Sequence, residues 1–261
     1  PTVAGNTAVQ LDDDALTGGN PGGNGDTNPD AVNSSGTLQF SYGVDLGGRW
    51  IIKINTGAPS GFTYETSGTN LLVKQGVTTV ITLTLVSSTG AYTVTQNAPI
   101  AHAAGLDENS LALTVTYQVT DADGDQVNGD LSIVINDDTP TVLTNAAVQL
   151  DDDALSGGNP GGIDDLAPDS VNTTGILSHA YGADGAGSIA WLGNGAPSGF
   201  SYETSGNTLV VMQGLVSVMT LTLNAATGAY SIVQNAPVVH AAGLAENDQR
   251  FTIGYQVTDS D

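Results

Sequence analysis

The chain has 261 residues, with 27 acidic side chains against four basic ones (Arg49, Lys53, Lys74 and Arg250), for a formal net charge of −23. Such a charge repels nucleic-acid phosphates and anionic membrane surfaces, which excludes nucleic acid as a partner and argues against membrane insertion. Apolar residues make up 39% of the chain in ordered alternation, which argues for packed domains, and the lack of cysteine removes disulfides and thiolate metal sites.

The chain repeats itself. PTVAGNTAVQLDDDALTGGNPGG at Pro1 returns as PTVLTNAAVQLDDDALSGGNPGG at Pro140, an offset of 139 residues. Later blocks recur at an offset of 138, among them TGAPSGFTYETSG at Thr56 (Asn194) and TGAYTVTQNAPIAHAAGLDEN at Thr89 (Thr227). TYQVTDAD at Thr116 likewise returns at Gly254. Two copies of one unit are therefore expected, 1–139 and 140–261, the second without a counterpart of the strand LSIVIN.

Within a unit the dominant pattern has period two. TLQFSYG near Thr37 and NLLVKQG near Asn70 read as short strands. VTTVITLTLVSSTGAYTVTQ, from Val77 to Gln96, reads as two strands around a Ser-Ser-Thr-Gly turn. LALTVTYQVT (Leu111 to Thr120) and LSIVIN (Leu131 to Asn136) form a second pair around DADGDQVNGD. PIAHAAGLDEN has room for one helical turn, and no window carries an amphipathic stripe of three. The pattern predicts an all-β fold: two tandem immunoglobulin-like antiparallel β-sandwiches with long Gly/Asp-rich loops. The loop from Leu16 to Gly36 is too long to be a bare connection, and its acids supply ligands that would order it around a cation.

Carboxylates gather in three groups per unit. The first is LDDDAL with its loop: Asp12, Asp13, Asp14, Asp26 and Asp30, repeated as Asp151, Asp152, Asp153, Asp165 and Asp169. The second is the DADGD turn, Asp121, Asp123 and Asp125, repeated as Asp259 and Asp261; the third is Asp137 with Asp138. Carboxylates, amides and turn carbonyls are what Ca2+ takes, at six to eight oxygens, so all of these are candidate calcium ligands. DADGD is not an EF-hand: its glycine comes early, and Ser132 stands where the closing Glu belongs. Period two along LDDDAL sends Asp12 and Asp14 to one face and Asp13 to the other. Asp137 and Asp138, at the joint between units, are placed to share a cation with the neighbouring domain.

No catalytic constellation competes with this. Paired carboxylates recurring at turns are repetitive rather than glycosidase-like. Ser60 and Ser198 follow proline in GAPSG, which is no nucleophile elbow. His102 and His240 recur within NAPxxHAAG and read as packed or capping residues, His179 as a surface residue, Trp50 and Trp191 as core, and Tyr64 and Tyr202 as strand residues. The chain is expected not to be an enzyme.

The ordered set LDDDAL-x-GGNPGG, TGAPSGF-x-YE, TGAY-x-x-x-QNAP, HAAG-x-x-EN and YQVTDADGD-x-x-NG-x-LSI-x-I-x-DDTPT resembles the tandem extender repeat of the type I-secreted giant RTX adhesins of Gram-negative bacteria. The resemblance covers essentially the whole chain. It implies immunoglobulin-like or cadherin-like sandwiches strung end to end, calcium at and near the joints, an extracellular place at the bacterial cell surface, and a role in holding a distal adhesive domain away from the cell in adhesion and biofilm formation. No basic, apolar leader opens the chain at Pro1, as expected of a segment without an export address of its own. The implied partners are neighbouring repeats of the same chain. Two alternatives stay open: a glycan- or partner-binding sandwich module, and self-association through an open sheet edge.

Overall fold

The computed structural model describes every residue except 23, 24, 27, 45, 46, 53–57, 104–107, 160, 163, 166, 244–246 and 261, and at 50–52 the backbone alone. Two compact units result, one built on Pro1–Thr139 and the other on Pro140–Ala180 with Ala186–Asp259.

In the first unit the strands are β1 (Thr2–Val3), β2 (Val9–Asp12), β3 (Ser35–Thr37), β4 (Phe40–Ser41), β5 (Gly48–Ile52) and β6 (Phe62–Ser67). They continue with β7 (Asn70–Gln75), β8 (Thr78–Leu85), β9 (Ala91–Gln96), β10 (Ser110–Asp121) and β11 (Gln126–Asn136). One sheet runs β2-β11-β10-β5 and the other β3-β9-β8-β7-β6, with β1 paired to β4. Alternation decides which side chains go inward. Leu113, Val115, Tyr117, Val119, Leu131, Ile133 and Ile135 of the first sheet form one buried cluster with Leu71, Val73, Ile81, Leu83, Tyr92 and Val94 of the second. The intervening residues are largely threonines and other polar groups, so each sheet buries one face, as a sandwich requires.

The strands are not all antiparallel. β2 runs parallel to β11, with Val9 opposite Ile133, Leu11 opposite Ile135 and Asp12 opposite Asn136. This register positions the site, because it sets LDDDAL from one end of the unit beside NDD from the other.

The second unit repeats much of this plan with β12 (Thr141–Val142), β13 (Gln149–Leu150), β14 (Ser170–Val171), β15 (Thr174–Ile176), β16 (His179–Ala180) and β17 (Ala186–Leu192). It closes with β18 (Phe200–Ser205), β19 (Thr208–Gln213), β20 (Val216–Leu223), β21 (Ala229–Gln234) and β22 (Gly254–Asp259). The sheet β15-β21-β20-β19-β18 matches its counterpart, and β17 pairs with β22. Ile189, Trp191, Leu209, Val211, Leu221 and Val257 are buried. Trp191 is thus a core residue, whereas the Trp50 side chain lies outside the described residues. Ala101 to Ala103 are not helical, and the rest of the expected turn, 104–107, lies outside the described residues. His179, the first residue of β16, is half-buried rather than on the surface, and its Nδ1 donates to the Leu177 carbonyl at 2.6 Å.

Candidate metal centre

LDDDAL does not continue as a strand. β2 ends at Asp12, and Asp13–Ala15 form a single 3₁₀ turn for which Asp12 is the N-cap. Asp12 Oδ1 accepts the Asp14 N–H at 3.1 Å, satisfying a donor that the turn leaves open. Consequently Asp12 and Asp14 project together, and Asp13 projects the other way. The division expected from period two is present, produced by a capped turn instead of a pleat.

Asp12, Asp14 and Asp26 offer ligand oxygens that all lie within 4.8 Å of one another, and Asp12 and Asp14 are only 1% and 7% exposed. Asp12 Oδ2, both Asp14 oxygens and Glu108 Oε1 are buried and receive no hydrogen bond from a donor. What Asp14 does face is the carboxyl of Asp138, an acceptor like itself. Burial pushes the Asp12 carboxyl up to about 6, and the charges of Asp26, Asp30 and Asp138 push the same way. Burial, then Asp138, takes Asp14 up to about 8. Glu108 rises to about 7, again chiefly through burial, while its Oε2 accepts Asn136 Nδ2 at 2.8 Å.

The Gly-rich loop is held onto this cluster by backbone. Asn20 N–H donates to both Asp138 oxygens at 3.2 Å, and Asn20 Nδ2 donates to the Thr139 carbonyl at 3.1 Å. Gly19 lies so close to the turn that a Cβ there would sit 2.2 Å from the Asp14 carbonyl oxygen. Only glycine fits, and the same contact recurs as Gly158 against Asp153 at 2.3 Å.

Asp13 has separate surroundings. Its Oδ2 accepts the Ile100 N–H at 2.8 Å and its Oδ1 accepts the Gln96 side chain. Asp13 is fully buried, which pushes its carboxyl up to about 8 although the Ile100 amide opposes the shift. His102 and Asp137 join it, their ligand atoms again within 4.8 Å. The structure therefore divides the joint acids: Asp138 stands with Asp14, and Asp137 with Asp13. In the third group Asp121 ends β10, and its Oδ1 accepts the Asp125 N–H at 2.8 Å. Asp123 faces Asp121 across one shared hydrogen bond, which lowers Asp121 and raises Asp123. Asp123 and Asp125 are exposed.

The second unit keeps the capped turn, with Asp151 Oδ1 accepting the Asp153 N–H at 3.0 Å. Asp152 takes the role of Asp13 and accepts the Val238 N–H at 3.2 Å. Asp151, Asp152 and Asp153 are only half-buried, as are Asp165, Asp169 and Asp259; Asp261 lies outside the described residues. In the first unit β11, followed by Asp137 and Asp138, lies beside the corresponding acids, with Asn136 opposite Asp12.

Glu108, one of the acids of GLDEN, is not among the ligands expected from the sequence, and His102 is buried as a packed residue would be. Both lie in the recurring block HAAGxxEN, the signal that marks them out. Ser60 and Ser198 sit exposed in turns, each behind a proline whose carbonyl accepts the N–H of Phe62 or Phe200.

The oxygens around Asp12 and Asp14 fit a hard dication: they are carboxylates, they converge, and several accept nothing from the protein. Among the described residues no helix is long and apolar enough to cross a membrane. No curated protein and no solved structure matches the chain. One family model matches it twice, over residues 8–134 and 147–261, and its description is "Domain of unknown function (DUF5801)". With most of its length covered by those two matches, the chain belongs to the DUF5801 family and carries two copies of its domain.

Proposed function

We propose that the chain is a calcium-dependent structural repeat pair of a large bacterial cell-surface adhesin, which performs no catalysis and serves to project a distal adhesive domain. The observation that carries the calcium part is the set of buried carboxylate oxygens on Asp12 and Asp14 that accept no hydrogen bond. Desolvated carboxylates side by side are unstable by several kcal/mol unless protonated or met by a cation. The chain has only four basic residues, and one of them, Lys74, is paired with Glu65 on β7 and β6. Among the described residues no Lys or Arg pairs with these carboxylates, which leaves a dication as the counterion, and a donor set of Asp and Glu oxygens favours calcium over softer ions. Asp12, Asp14, Asp26, Glu108 and Asp138 would hold it and thereby fix the Gly-rich loop.

Exported calcium modules bind at about 0.1–1 mM. At that affinity the units stay loosely ordered in a calcium-poor cytosol and stiffen outside the cell, which suits export before mechanical duty. The adhesin context rests on the sequence resemblance and on the strongly acidic, cysteine-free composition. Calorimetric calcium titration, with melting temperature and scattering-derived length in calcium and in chelator, is the test: binding with a rise in both supports the reading, and no calcium response in any of the three sinks it.

A further inference from the structure

Calcium accounts for Asp12, Asp14 and Asp26 but has no use for an imidazole, and the molecule places a buried one beside the remaining acids. His102 is 8% exposed, Asp13 0% and Asp137 7%. His102 Nε2 lies 3.9 Å from Asp13 Oδ2. That separation is informative. A histidine paired directly with a carboxylate closes to about 2.7–2.9 Å, whereas two ligands of one cation with bonds of about 2.0–2.2 Å stand about 3–4.4 Å apart. The same spacing recurs in the second unit, where His240 Nε2 lies 3.8 Å from Asp152 Oδ2.

The carboxylates are also oriented as ligating ones are. Ile100 N–H and the Gln96 side chain fix Asp13, each using one lone pair of one oxygen and leaving the other lone pairs directed elsewhere. Asp137 Oδ2 accepts Asn109 Nδ2 at 3.2 Å, and its Oδ1 accepts the Asp138 N–H at 3.1 Å. With the ligand atoms of all three residues within 4.8 Å of one another, a small inward movement closes the set on one ion.

We propose that Asp13, His102 and Asp137 form a second cation site of mixed nitrogen and oxygen ligation, which takes a first-row transition dication, Zn2+ foremost, and is chemically distinct from the calcium cluster on the other side of the same turn. One imidazole and two carboxylates neutralise such an ion and leave a position for water. The second unit holds the Asp152–His240 half of the arrangement and binds more weakly, because its acids are half-exposed and no third ligand accompanies them among the described residues.

The test uses the whole 261-residue chain, stripped with chelator, returned to saturating calcium, and titrated with Co2+ and then Zn2+. The expected result is visible d–d absorption from a Co2+ equivalent that Zn2+ displaces and calcium does not. His102→Ala abolishes that equivalent, and His240→Ala leaves it in place; circular dichroism in calcium confirms that each variant is folded. X-ray absorption of the Zn2+-loaded wild type needs no variant, and shows a nitrogen in the metal shell. Co2+ binding unchanged by folded His102→Ala, displacement by calcium, an all-oxygen shell, or no transition-metal binding by the wild type would each overturn the proposal, and none of them bears on the calcium reading, which fails only if calcium itself does not bind.

Discussion

Asp12 Oδ1 holds the Asp14 N–H at 3.1 Å, and this one hydrogen bond turns a run of three identical residues into two kinds of site. It caps the turn, sets two carboxylates together against Asp26, and sends Asp13 toward Ile100 and His102. An amide oxygen caps nearly as well as a carboxylate. Asp12→Asn should therefore keep the fold while removing one ligand charge, and Asp14→Asn should do the same without touching the cap acceptor. Both should weaken calcium binding by roughly tenfold or more, and both should raise the melting temperature in chelator by relieving repulsion. Calcium titration and thermal unfolding measure the two effects; equal calcium affinity in either variant would refute the assignment.

Protonation gives a second expectation, with a sign opposite to the usual one for acidic proteins. The folded-state values of about 6 for Asp12, about 7 for Glu108 and about 8 for Asp14 all lie above the ordinary 3.8 and 4.5, mainly because of burial. Between those limits the folded chain binds more protons than the unfolded one, so in chelator stability falls as pH rises from about 4 to about 8. Calcium displaces those protons, so its stabilisation grows over the same window. Melting temperatures at several pH values, with and without calcium, should diverge as pH increases. A chelator curve that rises through this window would contradict the arrangement of the cluster.

Much of the sandwich was legible because strands such as 78–85 and 91–96 alternate cleanly and are separated by a Gly-containing turn. The site was less so. LDDDAL carries no signal that a strand stops at Asp12, since Asp caps a turn and ends a pleat with equal ease. β5, five residues of GRWII, is too short to declare its period. The parallel pairing of β2 with β11 joins residues more than a hundred positions apart, and local pattern says nothing about such a register. Without that register neither Glu108 beside Asp12 nor the parting of Asp137 from Asp138 can be foreseen.

Burial of equivalent residues predicts unequal consequences in the two units. Asp13 and Asp152 make the same amide contact, but the Asp13 side chain is 0% exposed and that of Asp152 is 33% exposed. Asp13→Ala leaves the Ile100 N–H buried without an acceptor, which costs about 1–3 kcal/mol. At Asp152, water can replace the lost acceptor, and the loss should be under about 1 kcal/mol. Hydrogen exchange in chelator separates the two, because the Ile100 amide should lose far more protection in Asp13→Ala than the Val238 amide does in Asp152→Ala. Comparable losses would mean that the two turns are equally covered.

Gly19 tests whether the loop or the turn carries calcium affinity. A Cβ at this position would lie 2.2 Å from the Asp14 carbonyl oxygen, a backbone atom held by the cap and unable to withdraw as a flexible side chain would. Gly19→Ala must therefore push the loop outward, and with it Asn20, whose N–H grips both oxygens of Asp138. Asp26, further along the same loop, moves with it. Overpacking of this kind costs about 1–3 kcal/mol, and the ligand set opens on the side the loop supplies. Calcium affinity should fall together with stability, whereas Asp12→Asn lowers affinity while raising stability in chelator. The equivalent Gly158→Ala change, 2.3 Å from the Asp153 carbonyl oxygen, should perturb only the second unit. Measured side by side in calcium and in chelator, Gly19→Ala should lose more stability in calcium; an identical loss in both conditions would show that the loop packs on the turn without contributing to the metal site.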